Sequence, residues 1–232
     1  MLMVRLEKTA PPEQHARERV FETSLLDRSD RGLYRHGGKR VLDVLGVLLM
    51  ALPALMLLLP LMILLSLDGH SPLYRQPRIG RNGRIFSMWK LRSMVPDADR
   101  MLEAHLAADP EARAEWEWSQ KLRDDPRVTR LGHVIRKSSL DELPQLWNVL
   151  VGDMSLVGPR PMMAHQRDLY PGLAYYAMRP GITGYWQITV RNDSGFAERA
   201  LHDTQYFRDL SFGTDLQVLL RTVRVVLRGT GR

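Results

Sequence analysis

The chain of 232 residues has no cysteine. That excludes a disulfide-stapled scaffold, a thiolate nucleophile and any metal site built on sulfur. The motifs GxxxxGK[ST], HExxH and GxSxG are missing too, so P-loop, zinc-peptidase and serine-hydrolase chemistry lack support. The seven histidines are scattered, and none is spaced as a metal-binding pair. There is no internal repeat or low-complexity tract. Residues 1–38 lack the apolar core, roughly 7–15 residues long, of a secretory signal. They carry Glu13, Arg17, Glu18, Arg19, Asp27, Arg28, Asp30 and Arg31, and read as a polar extension with a short amphipathic helix around Glu13–Leu26 and no chemistry of its own.

Apolar residues make up 44% of the chain, as in a folded protein, and the net charge is +7. A basic protein of this size meets something anionic: a nucleic acid, a lipid surface or a phosphorylated substrate. From Val44 to Leu67 runs an uncharged stretch of 24 residues, VLGVLLMALPALMLLLPLMILLSL. As a straight helix at ~1.5 Å per residue it would reach about 36 Å, enough for a hydrocarbon core about 30 Å thick. Pro53 and Pro60 interrupt it, and each removes an amide donor. Both flanks are basic, with Lys39 and Arg40 before and Arg75, Arg78, Arg81 and Arg84 after. Basic residues mark the cytoplasmic side of a membrane segment. The pattern therefore favours a re-entrant helix–break–helix over a simple span, with Asp43 near the headgroups.

Beyond the apolar run, residues 71–94 read as two short strands around Arg81-Asn82-Gly83, since Asn-Gly is a strong hairpin signal. Residues 97–125 read as two amphipathic helices broken near Asp109-Pro110, capped by Asp97 or Asp109, with Pro110 at a first helical position. Trp116 and Trp118 suit packing or an interface. The segment 216–229, with Arg221, Arg224 and Arg228 among apolar residues, fits either a membrane-surface helix or a core helix with a basic outer face. The expected class is mainly α with a small β-hairpin or sheet (α+β). Residues 1–38 are the extension, 39–69 the membrane helix and 70–232 a cytosolic catalytic domain.

Two features carry chemistry. Asp141 and Glu142 stand side by side in SSLDELPQLWNVL. Ser139-x-x-Glu142 has the form of a capping box, and acids complement a helix N-terminus. Pro144 permits another reading, in which the helix begins at Pro144 and the acids lie on the turn before it. As functional groups they divide the work, one as nucleophile or metal ligand and the other as ligand or proton handler. The second feature is Arg160 in GPRP. Pro159 and Pro161 fix their own φ and restrict the residues before them. A planar five-donor cation on so stiff a mount suits bidentate contact with phosphate. Lys90, Arg92, Arg136, Lys137 and Arg179 are further candidates for a phosphate-binding lining. Acids within such a lining need a bridging cation, which implies Mg²⁺ on Asp141 and Glu142.

Taken together, KRVLD, SPLYRQPRIGRNGRIFSMWKLRSM, KLRDDPRVTRLGHVIRKSSLDELPQLWNVLVGDMSLVGPRP and MRPGITGYWQI resemble the bacterial monotopic phosphoglycosyl transferases, the polyprenyl-phosphate sugar-1-phosphate transferases. The resemblance runs from Lys39 to about Arg228. It implies transfer of a sugar 1-phosphate from a UDP-sugar to undecaprenyl phosphate, with release of UMP, at the cytoplasmic face of the bacterial inner membrane. This step opens O-antigen, capsule or exopolysaccharide assembly. The resemblance places the family's nucleophile on Asp141 and its partner on Glu142, with Mg²⁺ as cofactor. Its phosphate-binding positions fall on Lys90, Arg136 and Arg160, and Gln187 of the WQI stretch joins the substrate-binding set. Membrane phospholipids are implied as partners, a homodimer is compatible, and nucleic acid is not expected. Val190 stands where the family often has glycine before an arginine, here Arg191. The helical insert 97–125 resembles the hexose-1-phosphate branch, the galactose type especially. The alternative from another class is a non-enzymatic, membrane-anchored protein that binds anionic lipid or nucleic acid.

Overall fold

Twenty-eight consecutive residues, Lys39–Ser66, form one α-helix (α1), continuing a π-helical turn at Tyr34–Gly38. In this computed structural model the described residues are 32–119, 122–189 and 196–227. The expected helix at Glu13–Leu26 and the positions Val190, Arg191 and Arg228 lie outside them. The break expected at Pro53 or Pro60 is not there, because both prolines sit inside α1. Each removes a single donor from the ladder, and the bonds on either side carry the helix across.

Most of α1 turns its side chains outward. Leu49 is 81% exposed, and Leu52 and Met56 are each 69% exposed. Both ends of the helix nonetheless hold to the same globular unit. Near the N-terminal end, Arg40 donates to the carbonyls of Val149 and, at 2.7 Å, Leu150. Buried Asp43 accepts from the Ser155 hydroxyl and the Leu156 amide, each at 2.9 Å. At the C-terminal end, Arg92 donates to the Leu65 carbonyl at 2.6 Å and pairs with Asp68.

The hairpin forms as its turn signal predicts. Strands β1 (Leu73–Ile79) and β2 (Ile85–Leu91) pair antiparallel, with Tyr74 opposite Lys90 and Gln76 opposite Met88. Asn82 and Gly83 take positive φ between them, at 58° and 74°. Helices α2 (Ala98–Ala108) and α3 (Pro110–Ser119) follow, and they part at Asp109. Asp109 caps α3 through the amides of Glu111 and Ala112, with Pro110 at the first helical position. Asp97 caps nothing: it lies in the left-handed region, and its side chain makes no capping bond.

Helix α4 (Arg130–Lys137) is capped by Thr129, which accepts from the Gly132 amide at 2.9 Å. Gly132 packs against the end of the hairpin so tightly that an added Cβ would come within 1.9 Å of the Ser93 carbonyl. A 3₁₀ turn at Leu140–Glu142 leads into α5 (Gln145–Val151), with Pro144 as its N-cap. Strand β3 (Ser155–Val157), the short helix α6 (Ala174–Ala177), strand β4 (Gly181–Thr183) and helix α7 (Tyr185–Ile188) come next. The parallel pairing of β3 with β4 is a second small sheet that the hairpin signal does not announce.

Helices α8 (Arg199–Asp209) and α9 (Phe212–Leu227) close the fold. Asp215 of α9, fully buried, accepts from Tyr34, Lys39 and Tyr206 at 2.5, 2.7 and 2.6 Å. Val218 enters the main core with Val149, Met154 and Val157. Leu216, Leu220 and Val223 of the same helix stay exposed, so α9 has both a core edge and a free apolar edge.

Asn148 of α5 is buried and joins the two halves of the site. Its Oδ1 accepts from the Trp89 amide at 3.0 Å, and its Nδ2 donates to the Ser87 carbonyl at 2.8 Å. Asn148→Ala removes both bonds and strands the Trp89 amide. The expected destabilisation is about 2–4 kcal/mol, read as a lower thermal midpoint of the purified protein in detergent.

Candidate active site

Asp141 does not sit in a capping box. Ser139, the would-be cap, has φ 57° and makes no side-chain cap bond. The other reading holds: the acids occupy the short turn before Pro144. That turn is set from both sides. Behind it, the Ser139 amide donates to the Arg136 carbonyl at 2.9 Å; ahead of it, α5 is locked to β2 through Asn148.

Lys90 reaches the acids from β2. Its Nζ lies 3.3 Å from Asp141 Oδ2 and 3.5 Å from Glu142 Oε1. The two carboxylates are adjacent in sequence, and one ammonium serves both. Asp141 is 7% exposed, in surroundings where solvent screens charge weakly. Arg160 Nη1 stands 3.7 Å from Glu142 Oε1. Its mount is as rigid as the prolines suggest, and β4 stiffens it further. The Gly158 amide donates to the Thr183 carbonyl, and the Gly181 amide to the Pro159 carbonyl, each at 2.8 Å. At this crossing the backbones nearly touch: a Cβ on Gly181 would lie 2.1 Å from the Gly158 amide nitrogen.

A cleft opens over this group, and its lining includes Arg78, Met88, Lys90, Glu142, Gln145 and Arg160. Arg136 stands beside it, bonded through Nε to the Ser93 hydroxyl at 2.9 Å. Burial lowers the pKa of its guanidinium, and the charge of Asp141 partly offsets that. Gln187 is buried and donates to the carbonyl of Ile182, another cleft-lining residue, at 3.5 Å.

Two sequence candidates lie elsewhere. Arg92 is engaged by Asp68 and by the carbonyls of Leu65 and Ser71, so it ties the end of α1. Arg179 donates to the Gly152 carbonyl at 2.9 Å, at the C-terminal end of α5. Neither lines the cleft. Arg78, which the sequence offers only as one of four flanking basic residues, does line it. The signal was available: cross-strand partners share a face of a hairpin, so Tyr74, Gln76 and Arg78 lie on the face of Lys90 and Met88.

The donor set fits a hard divalent cation in one specific way. Among the described residues no group of three or more acids and histidines forms a metal cage. Asp141 and Glu142 offer two carboxylates, the number of protein ligands Mg²⁺ takes when substrate phosphates and water complete its octahedron. The rest of the site is cationic, with Lys90, Arg78, Arg136 and Arg160 around the two acids. That balance suits a polyanion.

The sequence matches the family model described as bacterial sugar transferase over residues 34–229. It is 45% identical over 212 residues to a UDP-galactose-lipid carrier transferase of Erwinia amylovora, covering 88% of this chain and 44% of that protein. It is 42% identical over 213 residues to an undecaprenyl-phosphate galactose phosphotransferase of Salmonella typhimurium, covering 91% of this chain and 44% of that protein. An exopolysaccharide production protein, ExoY, of Sinorhizobium fredii is 44% identical over 197 residues, with 83% of this chain and 87% of the relative covered. The chain thus spans less than half the length of the first two relatives and most of the third. With the match running from the turn before α1 to the end of α9, the chain belongs to the bacterial sugar transferase family.

Proposed function

We propose that this protein transfers a sugar 1-phosphate from a UDP-sugar to undecaprenyl phosphate and so opens the assembly of an exopolysaccharide, capsule or O-antigen. The observation that carries this reading is the contact of Lys90 with both Asp141 and Glu142 beneath a cleft lined by arginines. One relative named undecaprenyl-phosphate galactose phosphotransferase and another named UDP-galactose-lipid carrier transferase support the lipid acceptor and the galactose-type branch.

In this reading an Asp141 carboxylate oxygen attacks the β-phosphorus of the UDP-sugar. The bond from that phosphorus to the oxygen bridging to the α-phosphate breaks, and UMP leaves with the electron pair. The sugar phosphate is then held on Asp141 as an acyl phosphate, which divides one difficult displacement into two easier ones. A phosphate oxygen of undecaprenyl phosphate attacks the same phosphorus and frees Asp141. Lys90, Arg136 and Arg160 offset the charge that gathers on the phosphoryl oxygens. Glu142 and Asp141 would hold Mg²⁺, which supplies charge neutralisation between the acids and the phosphates. A role limited to binding anionic lipid or nucleic acid leaves the nearly buried Asp141 without a task.

The setting is the cytoplasmic face of the inner membrane, with the continuous helix α1 held to the bilayer from that one side. Both of its ends hold to one globular unit, through Arg40 and Asp43 at one end and Arg92 at the other. A span would place those anchors on opposite sides of the membrane. The exposed apolar edges of α1 and α9 meet phospholipid.

Incubation with a panel of UDP-sugars, Mg²⁺ and undecaprenyl phosphate should release UMP, with UDP-galactose among the productive donors; no UMP from any donor defeats the proposal. Asp141→Asn, folded as judged by circular dichroism, should lose turnover by on the order of 10³-fold or more; full turnover removes Asp141 as nucleophile. Chelation by EDTA should abolish UMP release, and added Mg²⁺ should restore it. Because the chain has no cysteine, single substitutions His36→Cys and His70→Cys can be labelled cleanly in sealed inverted vesicles. Both should react from the cytoplasmic side, and labelling from opposite sides restores a spanning helix.

A further inference from the structure

Arg199 is 8% exposed, yet it forms no salt bridge among the described residues, and its Nε has no hydrogen-bond partner. Its guanidinium lies over Trp186, 4.3 Å from the ring centroid, and over Phe196 at 4.5 Å. Arg160 approaches the same Trp186 ring at 5.9 Å, so the two guanidinium carbons are within about 10 Å of each other. Arg78 repeats the pattern. Its Nη atoms donate to the Pro161 carbonyl and to Gln76, and its buried Nε has no partner.

The three arginines are mounted on one apolar cluster. Ile79 follows Arg78, Met162 lies two residues after Arg160, and Ala200 follows Arg199; all three belong to the cluster that also holds Tyr170, Tyr175 and Phe196. Ile79 and Met162 form a β-bridge, and Tyr175 bonds both the Ile79 carbonyl and the Met162 amide. The three backbones are therefore fixed relative to one another, and repulsion between the cations cannot be relieved by moving them apart. Burial, with Arg160 adding repulsion, pushes the Arg78 guanidinium down to about 10 and that of Arg199 to about 9. Among the described residues counter-charge is scarce. Glu142 is shared with Lys90, and Asp203 gives one oxygen to the Tyr170 hydroxyl at 2.7 Å. Burial raises Asp203 to about 7, so near neutral pH it carries only part of a charge. Unpaired charge held this far from water is costly unless an anion completes it.

We infer that Arg78, Arg160 and Arg199 form a phosphate-monoester subsite beside the acid pair, in which Arg78 and Arg160 touch the anion and Arg199 is a positioning residue acting through Trp186. The subsite rests on the transferase reading and deepens it by naming the group held there: a terminal phosphate dianion, supplied by UMP or by the polyprenyl phosphate. Nucleotide and lipid share this chemistry, and the test separates them.

The full chain in nanodiscs is titrated by calorimetry with UMP and, separately, with a short-chain polyprenyl monophosphate, at low and at moderate salt. Arg78→Gln should weaken one of the two ligands by about 10- to 100-fold, the loss of one or two charge-assisted bonds. Arg199→Gln should weaken the same ligand and flatten its salt dependence, which loss of packing alone would not do. Arg199→Lys, which keeps the charge, should recover part of the affinity and serves if the glutamine variant fails to fold. Loss of UMP binding assigns the subsite to the nucleotide, and loss of lipid binding assigns it to the acceptor. Wild-type affinity for both ligands in Arg78→Gln, or an unchanged salt slope in the folded Arg199 variants, overturns the inference. Failure is separable from failure of the transferase reading. UMP release by the wild-type protein with unaffected variants removes only the subsite. Phosphate binding that depends on these arginines in a protein that releases no UMP removes only the reaction.

Discussion

The side chain of Asn148 is the joint on which the site depends. One amide group bonds two backbone positions of β2, at Trp89 and Ser87, and so fixes where Lys90 emerges. The carbonyl of the same residue accepts the amides of Gly152 and Met154 and ends α5. The chain can then enter β3, whose Ser155 and Leu156 take the carboxylate of Asp43. Each bond is worth little by itself, about 1 kcal/mol net. Their weight lies in burial, because any unmade partner would be left in an apolar core. The membrane helix, the acid turn and the lysine strand are thus joined by one short path of polar groups.

Charge is the second organising constraint. Two carboxylates alone in this pocket would repel each other; four cations alone would repel each other without restraint. Lys90 between the acids, with Arg160 close to Glu142, gives a resting state that tolerates both. The contacts are long for ion pairs, at 3.3, 3.5 and 3.7 Å. Long contacts are more easily exchanged than close ones, which leaves both the cations and the acids open to other partners. Arg92 shows the opposite arrangement: its guanidinium is committed to Asp68 at 2.6 Å and to the helix end.

Local signals in the sequence were read correctly where the physics is local. Asn82-Gly83 makes the turn, Asp109 caps and Pro110 starts a helix, and Pro144 opens α5 with the acids ahead of it. The rigid mount of Arg160 follows from two prolines. Reading failed where partners are distant in the chain. Asp97 looked like a cap, but its backbone turns left-handed and its side chain caps nothing. Arg92 and Arg179 are basic residues near the right motifs, and only tertiary contacts reveal that Arg92 pairs with Asp68 and that Arg179 bonds the Gly152 carbonyl, away from the cleft. Arg199 carries no local mark at all, since its setting depends on Trp186 and Phe196 coming together. The β3–β4 crossing was also hidden, because a glycine that permits backbone contact looks in sequence like any loop glycine. The family resemblance was borne out by the match to the bacterial sugar transferase family, while the prolines misled on the helix, which runs through both of them without a break.

The position of α1 follows from what its ends must satisfy. Between Asp43 and Leu65 lie about 33 Å of helix at ~1.5 Å per residue, apolar on most faces. Polar contacts at each end belong to one globular unit. Moving the helix fully across a bilayer would pull Asp43 from its donors, or Arg92 from the Leu65 carbonyl, into hydrocarbon without replacement partners. Leaving it in water would expose a contiguous leucine surface far larger than single exposed apolar residues require. The membrane setting proposed above meets both demands. Asp43 is joined through β3 and Asn148 to the strand of Lys90, so α1 and the acid turn are positioned as one unit.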